Sequence, residues 1–169
     1  MEYVVLLRAV NLGKRNQVNM GVLRTLLAEN GYRDVETILN SGNVLLKSDQ
    51  TPLKIKRHIA TLISDRFEVS TEVFVLLKED LQKSVLTYQF DSLNENQIAY
   101  VCILEKEIEL HLPFTIKHID LNHQDGTIVF CLGNVGEGHT SFPNDLIEKK
   151  LEVKCTSRNL QTIHRILKA

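Results

Sequence analysis

Three short clusters of this sequence carry residues that could bind or transform a ligand. The first is Asn11-Leu12-Gly13-Lys14-Arg15-Asn16-Gln17-Val18-Asn19, a polar stretch entered through Arg8. Glycine and asparagine accept positive φ, so successive N–H groups here can point one way and cradle an anion. Lys14 and Arg15 would add positive charge. The second cluster, Ser41-Gly42-Asn43, is first of all a hairpin turn, and becomes part of a site only if it lies beside one of the others. The third, Thr156-Ser157-Arg158-Asn159, is expected to open the last helix, with Thr156 or Ser157 as its cap. A cation in a first helical turn opposes the helix dipole by about 0.3–1 kcal/mol. An anion held between the Arg158 guanidinium and the free N–H groups would reverse that cost. Without one, Arg158 would lean away and pair with a carboxylate such as Glu152.

Other chemistries find little support. The loop is not a Walker loop, because G-x-x-x-x-G-K-[ST] is missing. Gly133-Asn134-Val135-Gly136-Glu137-Gly138 has the spacing G-x-x-G-x-G and an acidic residue where a phosphate would approach, so it reads as a loop rather than a dinucleotide site. His58, His111, His118, His123, His139 and His164 are scattered without metal-ligand spacing, and no nucleophile elbow occurs. Neither a cofactor nor a metal is expected. Cys102, Cys131 and Cys155 form no C-x-x-C pair. The first two lie in apolar strand-like runs and read as small buried hydrophobes. Lys154 and a following helix start could lower the Cys155 thiol pKa.

The chain has 169 residues, 43% apolar and 24% charged, with a net charge of −1. Those proportions exclude disorder and fibrous repeats, and the length suits one domain or two small joined halves. Mean hydropathy is −0.09, and no apolar run approaches the roughly 18 residues of a membrane span. The opening MEYVVLLRAV lacks a basic leader and carries Arg8 within its apolar run, so it is expected to be a strand. Sparse, odd-numbered cysteines suit a reducing, cytoplasmic setting. The charge is uneven. Arg8, Lys14, Arg15 and Arg24 crowd the start, and Lys149, Lys150, Lys154, Arg158, Arg165 and Lys168 crowd the end. The stretch 88–125 is acidic.

The hydrophobic pattern predicts a strand at 3–8, a helix at 20–30 capped by Asn19 and closed by Gly31, and strands at 35–40 and 43–48. A helix at 52–67 comes next, with Thr51 as N-cap, Pro52 at its first position and a stripe of Ile55, Ile59, Leu62 and Ile63. A strand at 71–77 and a helix at 79–88 complete the first half. This βαββαβ order is that of a ferredoxin-like α/β plait. Residues 89–97 are a polar connection. The second half shows strands at 98–104, 117–121 and 127–133, the last two joined by a turn at Asp125-Gly126, with 105–114 ambiguous. A helix at 142–151, a short strand near Val153 and a helix from Arg158 end it. The expected fold is therefore α+β: two fused plaits, residues 1–88 and 89–169.

Three stretches of words support that reading. LLRAVNLG with Asn16, Val18 and Met20, Thr37 followed by SGNV at 41–44, and EKKL at 148–151 with Thr156, Arg158, Asn159 and Thr162 resemble a widespread bacterial family. That family is catalogued as domain of unknown function 1697. The resemblance runs the whole chain and implies paired α/β plaits, with no activity to carry over. This chain departs from the family's usual words at Lys14, where a second glycine is common, at Asn19 for proline and at Leu160 for an aromatic residue.

The expectation is a cytosolic protein that holds a small anionic, phosphorylated or nucleotide-like ligand in a cleft between its halves. The expected contacts are Arg8, Asn11, Gly13, Lys14, Arg15, Asn16, Ser41, Gly42, Asn43, Thr156, Arg158 and Asn159. One alternative is a nucleic-acid module of RNA-recognition type, which would need aromatic residues on its central strands. Another is a self-association or protein-interaction module acting through sheet edges.

Overall fold

The computed structural model describes residues 1–135 and 142–169. Gly136, Glu137 and Gly138 of the glycine-rich stretch, and His139 among the histidines, lie outside the described residues. Among those described, five helices and two antiparallel sheets form an α+β fold. Its contacts divide it into two compact units, Met1–Leu81 with Arg165–Ala169, and Gln82–His164.

In the first unit, β1 (Glu2–Leu7), α1 (Met20–Glu29), β2 (Arg33–Ile38), β3 (Asn43–Lys47), α2 (Pro52–Phe67) and β4 (Val73–Leu77) succeed one another along the chain. The strands lie in the order β2-β3-β1-β4, every neighbour antiparallel. The continuous apolar run of β1 is buried on both faces, as such runs require. Tyr3, Val5 and Leu7 join Val44, Leu46 and Val73 in the core with the helices. From α1 come Met20, Leu23 and Leu27, and from α2 come Ile55, Ile59 and Ile63. These positions repeat every three or four residues, which puts them on one helical face. Leu62, expected in the stripe, is only partly buried.

Two helix ends follow their residue chemistry. Asn19 Oδ1 accepts from the Val22 N–H at 3.0 Å, and Gly31 takes φ 89° just past the last turn of α1. Thr51 occupies the N-cap of α2, but its side chain makes no capping hydrogen bond. Pro52 behind it has no N–H to satisfy.

The second unit contains most of α3 (Lys78–Thr87), then β5 (Gln97–Leu104), β6 (Phe114–Ile116), β7 (Ile119–Asp125), β8 (Ile128–Asn134), α4 (Asn144–Leu151) and β9 (Cys155–Asn159). The last helix, α5 (Leu160–Lys168), begins in this unit and ends in the first. Strand order is β6-β7-β8-β5-β9. The Asp125-Gly126 hairpin forms as expected, with Gly126 at φ 59°.

Several expectations change here. Residues 105–113, ambiguous in their pattern, form no helix, so a single helix, α4, falls between strands of this sheet. That helix starts at Asn144 rather than Phe142, which is 68% exposed; Pro143 stands at the N-cap. Val153 is buried but not in a strand, and the strand predicted near it runs from Cys155 to Asn159.

All three cysteines are buried, and none is in a disulfide. Cys102 Sγ lies 3.3 Å from Cys131 Sγ, and burial pushes the Cys102 thiol pKa well up. Cys155 sits in β9 with no helix start immediately after it, and its N–H donates to Glu148 Oε1 at 2.8 Å. The helix-terminal activation expected for that thiol therefore has no structural basis.

Candidate functional site

The chain leaving β1 is pinned at every turn. The Leu7 N–H donates to Gly42 O at 2.7 Å. At Arg8 the N–H donates to Glu72 O, while its carbonyl accepts from Thr71 Oγ1 at 2.7 Å. Ala9 then adopts φ 54° and Asn11 φ 56°, the left-handed region that side chains rarely enter. Val10 between them is buried in the core.

Asn11 organises the loop that leads to α1. Its N–H donates to Asn16 O at 2.9 Å, closing a small ring of backbone. Its side chain both accepts from the Val18 N–H at 2.8 Å and donates to Val18 O at 2.9 Å. The same amide donates to Asn40 O, at 2.7 Å, in the turn between β2 and β3. Asn16 Nδ2 donates back to Ala9 O at 3.0 Å, and Gln17 Nε2 to Gly13 O at 2.8 Å. Inside this frame, the Arg15 N–H donates to Leu12 O at 3.2 Å, making Leu12-Gly13-Lys14-Arg15 a tight turn. Gly13 takes φ 60°; an added Cβ would meet no neighbour, so glycine serves the dihedral alone.

Lys14 and Arg15 stand exposed on that turn, and no ion pair holds either of them among the described residues. The expected nest of N–H groups is narrower than the sequence suggested. Asn11 and Arg15 spend their N–H groups within the loop, whereas those of Gly13 and Lys14 have no protein acceptor among the described residues.

Loop and turn form one assembly. Gly42, at φ 75°, packs so closely that an added Cβ would lie 2.6 Å from Val10 Cγ2 and 2.7 Å from Leu7 Cβ. Asn43 is fully buried, donating to Ile38 O at 2.9 Å and Ser41 Oγ at 3.0 Å. Arg8, Asn11, Gly13, Lys14, Arg15, Asn16, Ser41, Gly42 and Asn43 are thus gathered at one end of the first sheet.

The other three expected residues lie in the second unit and need correction. Thr156, Arg158 and Asn159 belong to β9, where Arg158 pairs with Val101 of β5. The helix starts two residues later, because β9 continues the pairing that a cap at Thr156 or Ser157 would have ended. Arg158 therefore does not oppose a helix dipole. Its Nη1 donates to Thr156 Oγ1 at 3.0 Å and Ser157 O at 2.8 Å, and burial pulls its pKa down to about 10. Asn159 takes the capping role, its Oδ1 accepting from the Thr162 N–H at 2.8 Å.

Sequence reasoning missed Gln17, Thr71 and Asn40. Gln17 stood in the loop as a visible donor. Thr71 and Asn40 act across 63 and 29 residues of chain, a closeness that only folding creates. Among the described residues, no group of three metal-ligating side chains gathers, and no helix is long and apolar enough to cross a membrane.

Residues 1–121 match the family described as "Protein of unknown function (DUF1697)". The chain belongs to this family. The match covers the loop after β1 and the 39–43 turn, and ends before β9. The chain also resembles a solved structure, the conserved bacterial protein SP0830 from Streptococcus pneumoniae. Identity is 21%, 99% of this chain and 97% of that one are covered, and the TM-score is 0.65. At that identity the likeness speaks for the fold. No curated protein matches the sequence.

Within this family member, Asn11→Ala is expected to cost about 1–3 kcal/mol, since it orphans the Val18 N–H and strands an alanine at positive φ. Amide exchange at Val18 should quicken about tenfold for every 1.4 kcal/mol of local protection lost. Unchanged exchange at Val18 would show that Asn11 does not hold the loop.

Proposed function

We propose that the first unit binds a small anion, a phosphate or carboxylate group, on the turn Leu12–Arg15. The observation that carries this reading is a pair of exposed, uncompensated cations on a turn held at both ends by Asn11 and Asn16. Long side chains usually lose much freedom when they grip a ligand; a preorganised backbone lowers that cost. Strained φ values at Ala9, Asn11, Asn16 and Leu39 cluster in the same two segments, as they do at ligand clamps. The free N–H groups of Gly13 and Lys14 add donors beside the charges.

The strand order β2-β3-β1-β4, with α1 and α2 between its strands, supports reading the first unit as a ferredoxin-like plait. The order β7-β8-β5-β9 repeats that pattern with one helix fewer, which supports a plait-like second unit. Three reduced thiols favour a cytosolic setting. The RNA-recognition alternative finds less support. The face of β1 and β3 opposite the helix-packed core carries Val4, Leu6, Asn43 and Leu45, all buried and none aromatic.

Titration with inorganic phosphate, monitored through backbone amide shifts, tests the proposal. Residues 12–16 should move together, and Lys14→Ala with Arg15→Ala should weaken binding about 5- to 30-fold, or 1–2 kcal/mol. Stability should change by less than about 0.5 kcal/mol, as for exposed sites generally. An undiminished affinity in the double variant would overturn the assignment.

A further inference from the structure

Leu12 is 62% exposed and Leu39 is 44% exposed. Single exposed leucines are ordinary on protein surfaces. These two, however, flank the hydrogen bond that ties the loop to the turn, from Asn11 Nδ2 to Asn40 O. Leu39 also holds φ 60°, a conformation in which glycine or asparagine is usual and a branched side chain is strained. Leu39 is not among the residues packed into or against the core that holds β1, α1 and α2. Leu12 opens the same four-residue turn that presents Lys14 and Arg15. Leu12 thus shares a turn with two cations that have no carboxylate partner among the described residues, and the segment carrying Leu39 is tied to that loop through the Asn11 amide.

We infer that the ligand of this site is amphipathic: a phosphate ester whose small apolar body rests on Leu12 and Leu39 while its charged end meets Lys14 and Arg15. The inference rests on the anion reading and names the class of anion. A phosphate alone would leave both leucines idle; an apolar group joined directly to it would cover them as the charges engage. A free small molecule fits this surface better than a bilayer. Even a whole myristoyl chain gives only marginal membrane binding, and two partly exposed leucines offer far less apolar contact.

Phenyl phosphate, inorganic phosphate and vesicles containing phosphatidylglycerol are the probes, applied to the full chain by calorimetry and by co-sedimentation. Phenyl phosphate should bind about five- to tenfold more tightly than inorganic phosphate, through apolar area removed from water. Leu39→Asn should shrink that difference at least twofold and leave inorganic phosphate binding unchanged. Asparagine suits positive φ, so this variant should melt at the parental temperature or above. Equal affinity for both phosphates, or a preference that survives the Leu39 replacement in full, would overturn the inference while sparing the anion reading. Failure of both phosphates to bind would overturn the two together. Vesicle binding without phenyl phosphate binding would replace the small ligand by a membrane surface.

Discussion

Gly42→Ala is expected to destabilise the first unit by about 2–5 kcal/mol, combining overpacking with a left-handed backbone cost. The new Cβ would lie 2.6 Å from Val10 Cγ2, 2.7 Å from Leu7 Cβ and 3.3 Å from the Leu7 carbonyl oxygen. Neither neighbour is free to yield. Leu7 belongs to the central strand β1, and Val10 is buried in the same core. The turn would have to move away, stretching the 2.7 Å bond from the Leu7 N–H to Gly42 O and drawing Asn40 off Asn11. At about 2–4 °C per kcal/mol for a chain of this size, the melting temperature should fall by roughly 4–20 °C. Amides 12–16 should lose their phosphate response in the same variant under folding conditions. A loss below about 1 kcal/mol in chemical denaturation would mean that loop and turn are not so closely packed.

Ile59→Ala should cost a comparable amount, about 2–5 kcal/mol, for a different reason. Ile59 is fully buried on the inner face of α2, within the cluster that includes Tyr3, Leu23 and Leu46. Removing its outer carbons leaves a cavity whose lining loses dispersion contacts without relaxing into it. Ile59→Val deletes one methylene and should cost only about 0.5–1.5 kcal/mol. Urea denaturation monitored by circular dichroism measures both. Because Ile59 is remote in sequence from the candidate loop, phosphate binding should survive in folded Ile59→Ala protein. Equal, small losses for the two variants would show that α2 does not pack through this face.

Much of the architecture was legible because it depends on local periodicity. Asn19, Gly31, Pro52 and the Ser41-Gly42 turn mark element ends through the backbone demands of their own residues. The core face of α1 follows from spacing alone. The errors fell where neighbours far along the chain outweighed local preference. Thr156-Ser157-Arg158 looks like a helix start, yet pairing with β5 extends the segment as a strand through Asn159. Residues 105–113 carry no decisive period, and no helix forms there.

For the candidate site, the amino-acid sequence by itself determined which residues could accept positive φ and where cations lay unpaired by near neighbours. Of the residues able to accept it, Gly13, Asn11 and Asn16 take the left-handed conformation, whereas Asn19 is extended at φ −69° and caps α1 instead. What only the tertiary structure decided was that the 8–18 loop and the 39–43 turn are one object. That union runs through a side-chain amide reaching a backbone carbonyl 29 residues away, Asn11 to Asn40, and through a glycine whose missing Cβ admits Leu7 and Val10. A carbonyl has no residue identity to read, and a missing side chain announces only freedom, not the neighbour that will use it. The strain at Ala9 and Leu39 was equally silent, because neither residue type favours φ near 55–60°. Such conformations persist only when surrounding contacts over-determine them, and those contacts exist only once the chain has folded.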